Sequence, residues 1–157
     1  MRAGPRGPES PPRCRDDAHA HGSRVRSTAD DCPLTAGVVP PLRGGRKTVA
    51  VQQCEMLAEG TERLTQEDVL FLSWLRRQPR PDEFTQAETA SLRAEFFSKD
   101  QPCLRTSPLP KTYGFGLLFD ADGVVSLCPM ESEEYQCIVG DAGDIRVVLA
   151  MRSARRR

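Results

Sequence analysis

Side chains able to react or to hold a ligand concentrate in one stretch, QPCLRTSPLPKTY, residues 101–113. Cys103 brings a thiol, Arg105 and Lys111 two cations, Ser107 a hydroxyl and Tyr113 a phenol, while Pro102, Pro108 and Pro110 stiffen the backbone between them. Two cations and a hydroxyl on a stiff loop suit a carboxylate or phosphate, because little conformational freedom is lost on binding. Neighbouring cations also lower the pKa of a thiol, which makes Cys103 a candidate nucleophile. Each residue has a plainer role as well. Cys103 serves as a small buried residue ahead of a strand, Arg105 pairs with a carboxylate, and Lys111 is solvated.

The two histidines, His19 and His21, lie far from this stretch in a segment with almost no large apolar residues. A Ser-His-Asp or Cys-His arrangement needs an imidazole within hydrogen-bond reach of its nucleophile, so histidine-dependent catalysis in the folded domain is disfavoured. Cys14, His19, His21 and Cys32 include no tight ligand pair of the kind closed zinc sites use, and no metal or cofactor is expected. Acidic pairs such as Glu67/Asp68 and Glu133/Glu134 sit where helices begin, and the helix dipole accounts for them.

Several elements must carry the 101–113 loop. Residues 1–26 are rich in Pro, Gly, Arg and Ala and are expected to be disordered. Residues 30–47 read as a long ordered loop with a short extended piece at Gly37–Val39. Ala50, Cys54 and Leu57 mark a helix over about 48–58 that stops at Gly60, with a strand as the alternative for its first half. In LTQEDVLFLSWLRRQP, Thr65 and Asp68 form a capping-box pair and Pro79 closes the segment. Val69, Leu70, Leu72, Trp74 and Leu75 make it a mostly buried helix. A third helix opens at Thr85 with Glu88, and Leu92, Phe96 and Phe97 mark its inner face.

Beyond the loop, YGFGLLF–DADG–VVSLC is a β-hairpin over 113–128. Gly114 and Gly116, two residues apart, permit close approach of a backbone, an aromatic ring or a ligand. Ser132 starts a short helix, and IRVVLAM (145–151) reads as a strand, with a helix as the alternative. The fold class expected is α+β: a small single domain over 27–151, an antiparallel sheet built around the hairpin, three to four helices, and a basic tail at 152–157.

The 157 residues allow one domain with its own core. There is no run of 18 apolar residues and no export signal at the start, so a cytoplasmic protein with reduced thiols is expected in place of a disulfide framework or a membrane span. Arginine outnumbers lysine 19 to 3, which suggests a GC-rich bacterial coding sequence. The net charge of zero is partitioned: residues 1–47 carry +4 (nine basic, five acidic), 48–151 carry −8 (nine basic, seventeen acidic), and 152–157 add four arginines. An acidic body disfavours a broad nucleic-acid footprint, although the basic ends suit an anionic partner.

The runs DDCP, GVVPP, GRKTVAVQQCEML, LTQEDVLF, FFSKDQPCLRTSPLPKTYGFG, ESEEYQ and AMRS together resemble an uncharacterised bacterial family of unknown function, over about residues 29–153. The resemblance implies a small cytoplasmic single-domain protein and assigns no catalytic residue. Asp100 and Phe115 stand where that pattern more usually has Gly and Trp. The pattern also has a short apolar strand before the DCP element, where this chain reads GSRVRSTA, a poor strand. The expectation is therefore that residues 1 to about 26 derive from a misplaced start or frameshift. The order of elements is also similar, more weakly, to MmcQ/YjbR-like proteins, which would imply a nucleic-acid-binding role. The functional expectation is a non-catalytic module binding a partner or an anionic small ligand through the 101–113 loop. The alternatives are a histidine-independent enzyme using Cys103 or Arg105 and Lys111, and nucleic-acid binding.

Overall fold

The computed structural model describes residues 24–140 and 145–152, and a four-stranded sheet runs through them. In chain order the elements are β1 (Arg24–Ser27), α1 (Val49–Glu59), α2 (Gln66–Leu75), α3 (Gln86–Ser98), α4 (Pro108–Thr112), β2 (Phe115–Phe119), β3 (Val125–Pro129), α5 (Glu133–Gly140) and β4 (Arg146–Leu149). The sheet order is β3-β2-β1-β4. β1 runs antiparallel to β2 and parallel to β4, so the sheet is mixed and not purely antiparallel as expected. The described residues form five α-helices, more than the three to four expected.

The largest correction concerns β1. Residues 24–26 fall in the segment expected to be disordered, and GSRVRSTA reads as a poor strand, yet Arg24–Ser27 lies in the interior of the sheet between β2 and β4. Its arginines explain why the pattern misleads. Arg24 pairs with Phe119 and Arg26 with Leu117 across the β1–β2 ladder, so both share the face of those core residues. Their guanidinium groups sit 5.6 and 5.8 Å from the Phe119 ring centroid, and the aliphatic stems cover apolar surface. The remainder of the expected disordered segment, with Cys14, His19 and His21, lies outside the described residues.

That face of the sheet, with Leu117, Phe119 and Val125, packs on α1, α2, α4 and the segments leading into the last two, through Cys54, Met56, Leu57, Leu64, Val69, Leu104 and Leu109. α1 starts at Thr48, whose hydroxyl accepts from Val51 N, and ends at Gly60 in the left-handed region, φ 59°. The capping box at Thr65 and Asp68 is present, as is a second at Thr85 and Glu88. α2 is less enclosed than its composition suggests. Val69, Phe71 and Leu75 are buried, while Leu70, Leu72 and Trp74 are half-buried. α3 turns Leu92, Phe96 and Phe97 inward as expected, but none of its residues is fully buried.

On the opposite face α5 lays Tyr135 over Gly116. A Cβ at Gly116 would come within 2.7 Å of the Tyr135 ring. The Tyr135 phenol oxygen accepts from Thr28 N at 3.0 Å and meets the Thr28 hydroxyl at 3.0 Å, tying α5 to the end of β1. At Gly114, φ 71°, a Cβ would run into the Ala36 carbonyl. Both glycines thus serve close packing. Gly37–Val39 forms no strand; Val38 N donates to Tyr113 O and Gly37 N to Glu131. Residues 145–151 do supply a strand, β4. No helix among the described residues is long and apolar enough to cross a membrane.

Candidate functional site

The 101–113 segment is more regular than a proline-stiffened loop. Leu104–Thr106 makes a 3-10 turn, and Pro108–Thr112 makes α4, with Ser107 as its N-cap. The prolines allow this because the first turn of a helix has no intrahelical partners for its N–H groups, so Pro108 and Pro110 sacrifice nothing there. The segment carries its five candidate side chains in different directions.

Ser107 is buried. Its hydroxyl donates to Gln53 Oε1 at 2.6 Å and accepts from Leu109 N at 3.2 Å, so it joins α1 to α4. Cys103 is half-buried, and its carbonyl closes the 3-10 turn by accepting from Thr106 N and Thr106 Oγ1. Arg105 works on the sheet. Ala150 N donates to Ser27 O across the parallel pair, so Leu149 and Met151 turn their own polar groups to the outer edge of the sheet. Arg105 Nε donates to Leu149 O at 3.1 Å and Arg105 O accepts from Met151 N at 2.9 Å. The 3-10 turn therefore covers the end of an edge strand that would otherwise expose unpaired backbone. Lys111 is half-exposed and has no ion-pair partner among the described residues, and Tyr113 packs against the core.

Two of the five residues, Cys103 and Ser107, line one cleft of about 220 Å³; Arg105, Lys111 and Tyr113 do not. The other walls come from the first turn of α1 (Val49, Gln53), from α2 and its end (Leu70, Ser73, Trp74, Arg77), and from Phe96 and Leu104. Trp74, Phe96 and Gln101 also wall a second cleft of about 390 Å³, which continues to Gln78, Phe84, Leu92, Glu95 and Lys99. The two clefts meet at a ridge where the Trp74 and Phe96 rings lie 5.3 Å apart. This aromatic wall continues inward to Phe71, whose ring centroid is 5.9 Å from Trp74 and 5.8 Å from Phe96.

α3, which roofs part of the groove, is pinned by Arg93. Its guanidinium is 2.9 Å from Asp68 Oδ1 and stands 5.4 Å from the Phe71 and Phe97 ring centroids. Burial raises the pKa of Asp68, but hydrogen bonds from Thr65 and the charge of Arg93 outweigh it and hold the carboxyl below its ordinary value.

Gln53 is the residue the sequence did not single out. It is 2% exposed, its Oε1 is occupied by Ser107, and its Nε2 donates to no acceptor among the described residues. Gln53 Nε2 is not fully enclosed, so solvent reaches it, and water or a ligand can supply its acceptor. Arg77, on the same cleft, is exposed and makes no ion pair among the described residues. About one turn of α1 separates Val49 from Gln53, and a glutamine there looks like any solvated helical residue. The only signal was the unusual QQ pair between the apolar positions Val51 and Cys54.

Cys32, Cys54, Cys103, Cys128 and Cys137 are free thiols, and burial pushes Cys54 and Cys128 up in pKa, away from reactivity. No group of three or more metal-ligating side chains comes together among the described residues. Compared with protein-family models, residues 18–156 match one described as a family of unknown function (DUF6157). No curated protein and no solved structure matches the chain.

Proposed function

Since the chain belongs to the DUF6157 family, whose membership assigns no activity, we propose from its own geometry that it is a non-catalytic binding module, bacterial and cytoplasmic. Its ligand seat is the groove where residues 101–108 meet α1, α2 and α3. One observation carries the reading: the unpartnered amide nitrogen of buried Gln53 on the wall of an apolar cleft that also holds Arg77. Small-ligand sites commonly combine aromatic walls with a few polar groups of this kind. In this reading the loop contributes Cys103 and Ser107, with Leu104, Thr106 and Pro108, to the cleft wall. The cation is Arg77, because Arg105 is committed to β4.

Trp74 is the only tryptophan of the chain and stands on the ridge between the clefts, so its emission reports occupancy directly. Titration with 8-anilino-1-naphthalenesulfonate, an aromatic anion, should quench Trp74 saturably in the native protein, and Phe96→Ala should weaken that binding. Absence of saturable quenching, or binding indifferent to Phe96→Ala, overturns the reading. Because Cys103 shares the cleft, a thiol enzyme is the second reading. Alkylation of Cys103 by iodoacetamide at the rate of a free model thiol would count against it, and a strongly accelerated rate would favour it.

A further inference from the structure

We infer that the Gln53–Arg77 cleft recognises an apolar monocarboxylate, with an aromatic or branched body of about one ring. The inference rests on the groove being a ligand seat and names the class of ligand that it takes.

Three features of the cleft select the class. With its Oε1 taken by Ser107, Gln53 offers the cleft only its Nε2, a donor, so a ligand on this wall brings an acceptor. Arg77 is a second donor and carries charge, whereas no carboxylate side chain lines this cleft; Glu95 belongs to the larger one. A carboxylate satisfies both groups, since it has two acceptor oxygens and a compensating charge. A neutral carbonyl can accept from both groups but leaves the Arg77 charge uncompensated, and an ammonium satisfies neither.

The remaining lining fixes the body of the ligand. Val49, Leu70, Trp74, Phe96, Leu104 and Pro108 are apolar. The three hydroxyls of Ser73, Thr106 and Ser107 already donate to Leu70 O, Cys103 O and Gln53 Oε1, and so do not seek a hydroxylated partner. With about 220 Å³ of space, the cleft accommodates a single ring with a short acid arm. A larger body extends past the Trp74–Phe96 ridge into the adjoining 390 Å³. A phosphate is disfavoured because two or three further donors would be needed to match its oxygens, and the Gln101 amide and the Ser73, Thr106 and Ser107 hydroxyls already donate within the protein.

The test is an isosteric series titrated calorimetrically into the intact protein: phenylacetate, phenylacetamide and phenethylamine. Phenylacetate should bind at least tenfold more tightly than phenylacetamide, and phenethylamine should not bind measurably. Arg77→Gln, an exposed change that leaves the core untouched, should remove most of the acid-over-amide preference, weakening phenylacetate far more than phenylacetamide. Gln53→Leu should weaken the acid and the amide together. If that variant fails to fold, the wild-type series and Arg77→Gln still decide the matter. Equal affinity for acid and amide, or a preference that survives Arg77→Gln, overturns the carboxylate assignment. In that event saturable quenching by 8-anilino-1-naphthalenesulfonate would leave the groove itself standing as a ligand seat. Failure of every probe overturns both.

Discussion

Ser107→Ala separates a structural from a ligand-binding role for the most buried polar residue of the 101–113 segment. The hydroxyl donates to Gln53 Oε1 at 2.6 Å and accepts from Leu109 N at 3.2 Å, and Ser107 is 4% exposed. Its removal leaves a helix N-terminus uncapped, which costs about 1 kcal/mol. It also leaves the Gln53 carbonyl buried without a donor, which costs about 1–3 kcal/mol more. The expected loss is therefore about 2–4 kcal/mol, read as a lower urea midpoint with an unchanged slope. The double variant Ser107→Ala/Gln53→Leu removes both partners and no longer strands a carbonyl. It should be destabilised by at least 1 kcal/mol less than the sum of the single changes. Strict additivity would refute the coupling. A Ser107→Ala protein of unchanged stability would refute the structural role and return Ser107 to the ligand.

Three further outcomes follow from the packing and the charges. Gly116→Ala places a methyl within 2.7–3.0 Å of the Tyr135 ring, and differential scanning calorimetry should show about 1–3 kcal/mol of destabilisation; an unchanged midpoint would mean α5 does not press on β2. Arg105→Ala should raise amide hydrogen exchange in β4, Leu149 through Met151 above all, while leaving affinity for 8-anilino-1-naphthalenesulfonate unaltered; lost affinity with unaltered exchange would place Arg105 at the ligand. The Asp68 carboxyl has a folded pKa below its unfolded one, so it stabilises the protein above the unfolded value and loses that contribution as pH falls through the folded value. Asp68→Asn should thus be less stable than wild type at neutral pH and converge with it in acid, and a gap of equal size at both pH values would contradict the assignment.

Local chemistry was legible where the chain punctuates itself. Thr65/Asp68, Thr85/Glu88, Gly60 and the Asp120–Gly123 turn each act within a few residues of their own position, so α1, α2, α3 and the hairpin could be placed from sequence. β1 was not legible because its cause is remote. Arg24 and Arg26 face the core with Phe119 beneath them, and the strand's parallel partner β4 is more than a hundred residues away. The same distinction governs the site. Proline, cation and thiol marked 101–113 as the segment to watch, and it does build one wall of the groove. Which side chains face inward depends on where α1 and β4 draw Ser107 and Arg105, and a single chain segment does not encode that. Gln53 became visible only when its Oε1 was seen to be taken and its Nε2 was not.

The most direct measurement is the side-chain amide signal of Gln53 in a nitrogen–proton correlation spectrum, followed while phenylacetate is added. Occupation of the cleft should move the Gln53 amide pair downfield along a saturation curve matching that of Trp74 emission, while the Gln52 pair on the same helix stays in place. A Gln53 pair that does not respond while phenylacetate binds, or that moves only in step with exposed glutamines, would contradict the assignment of this cleft as the ligand seat.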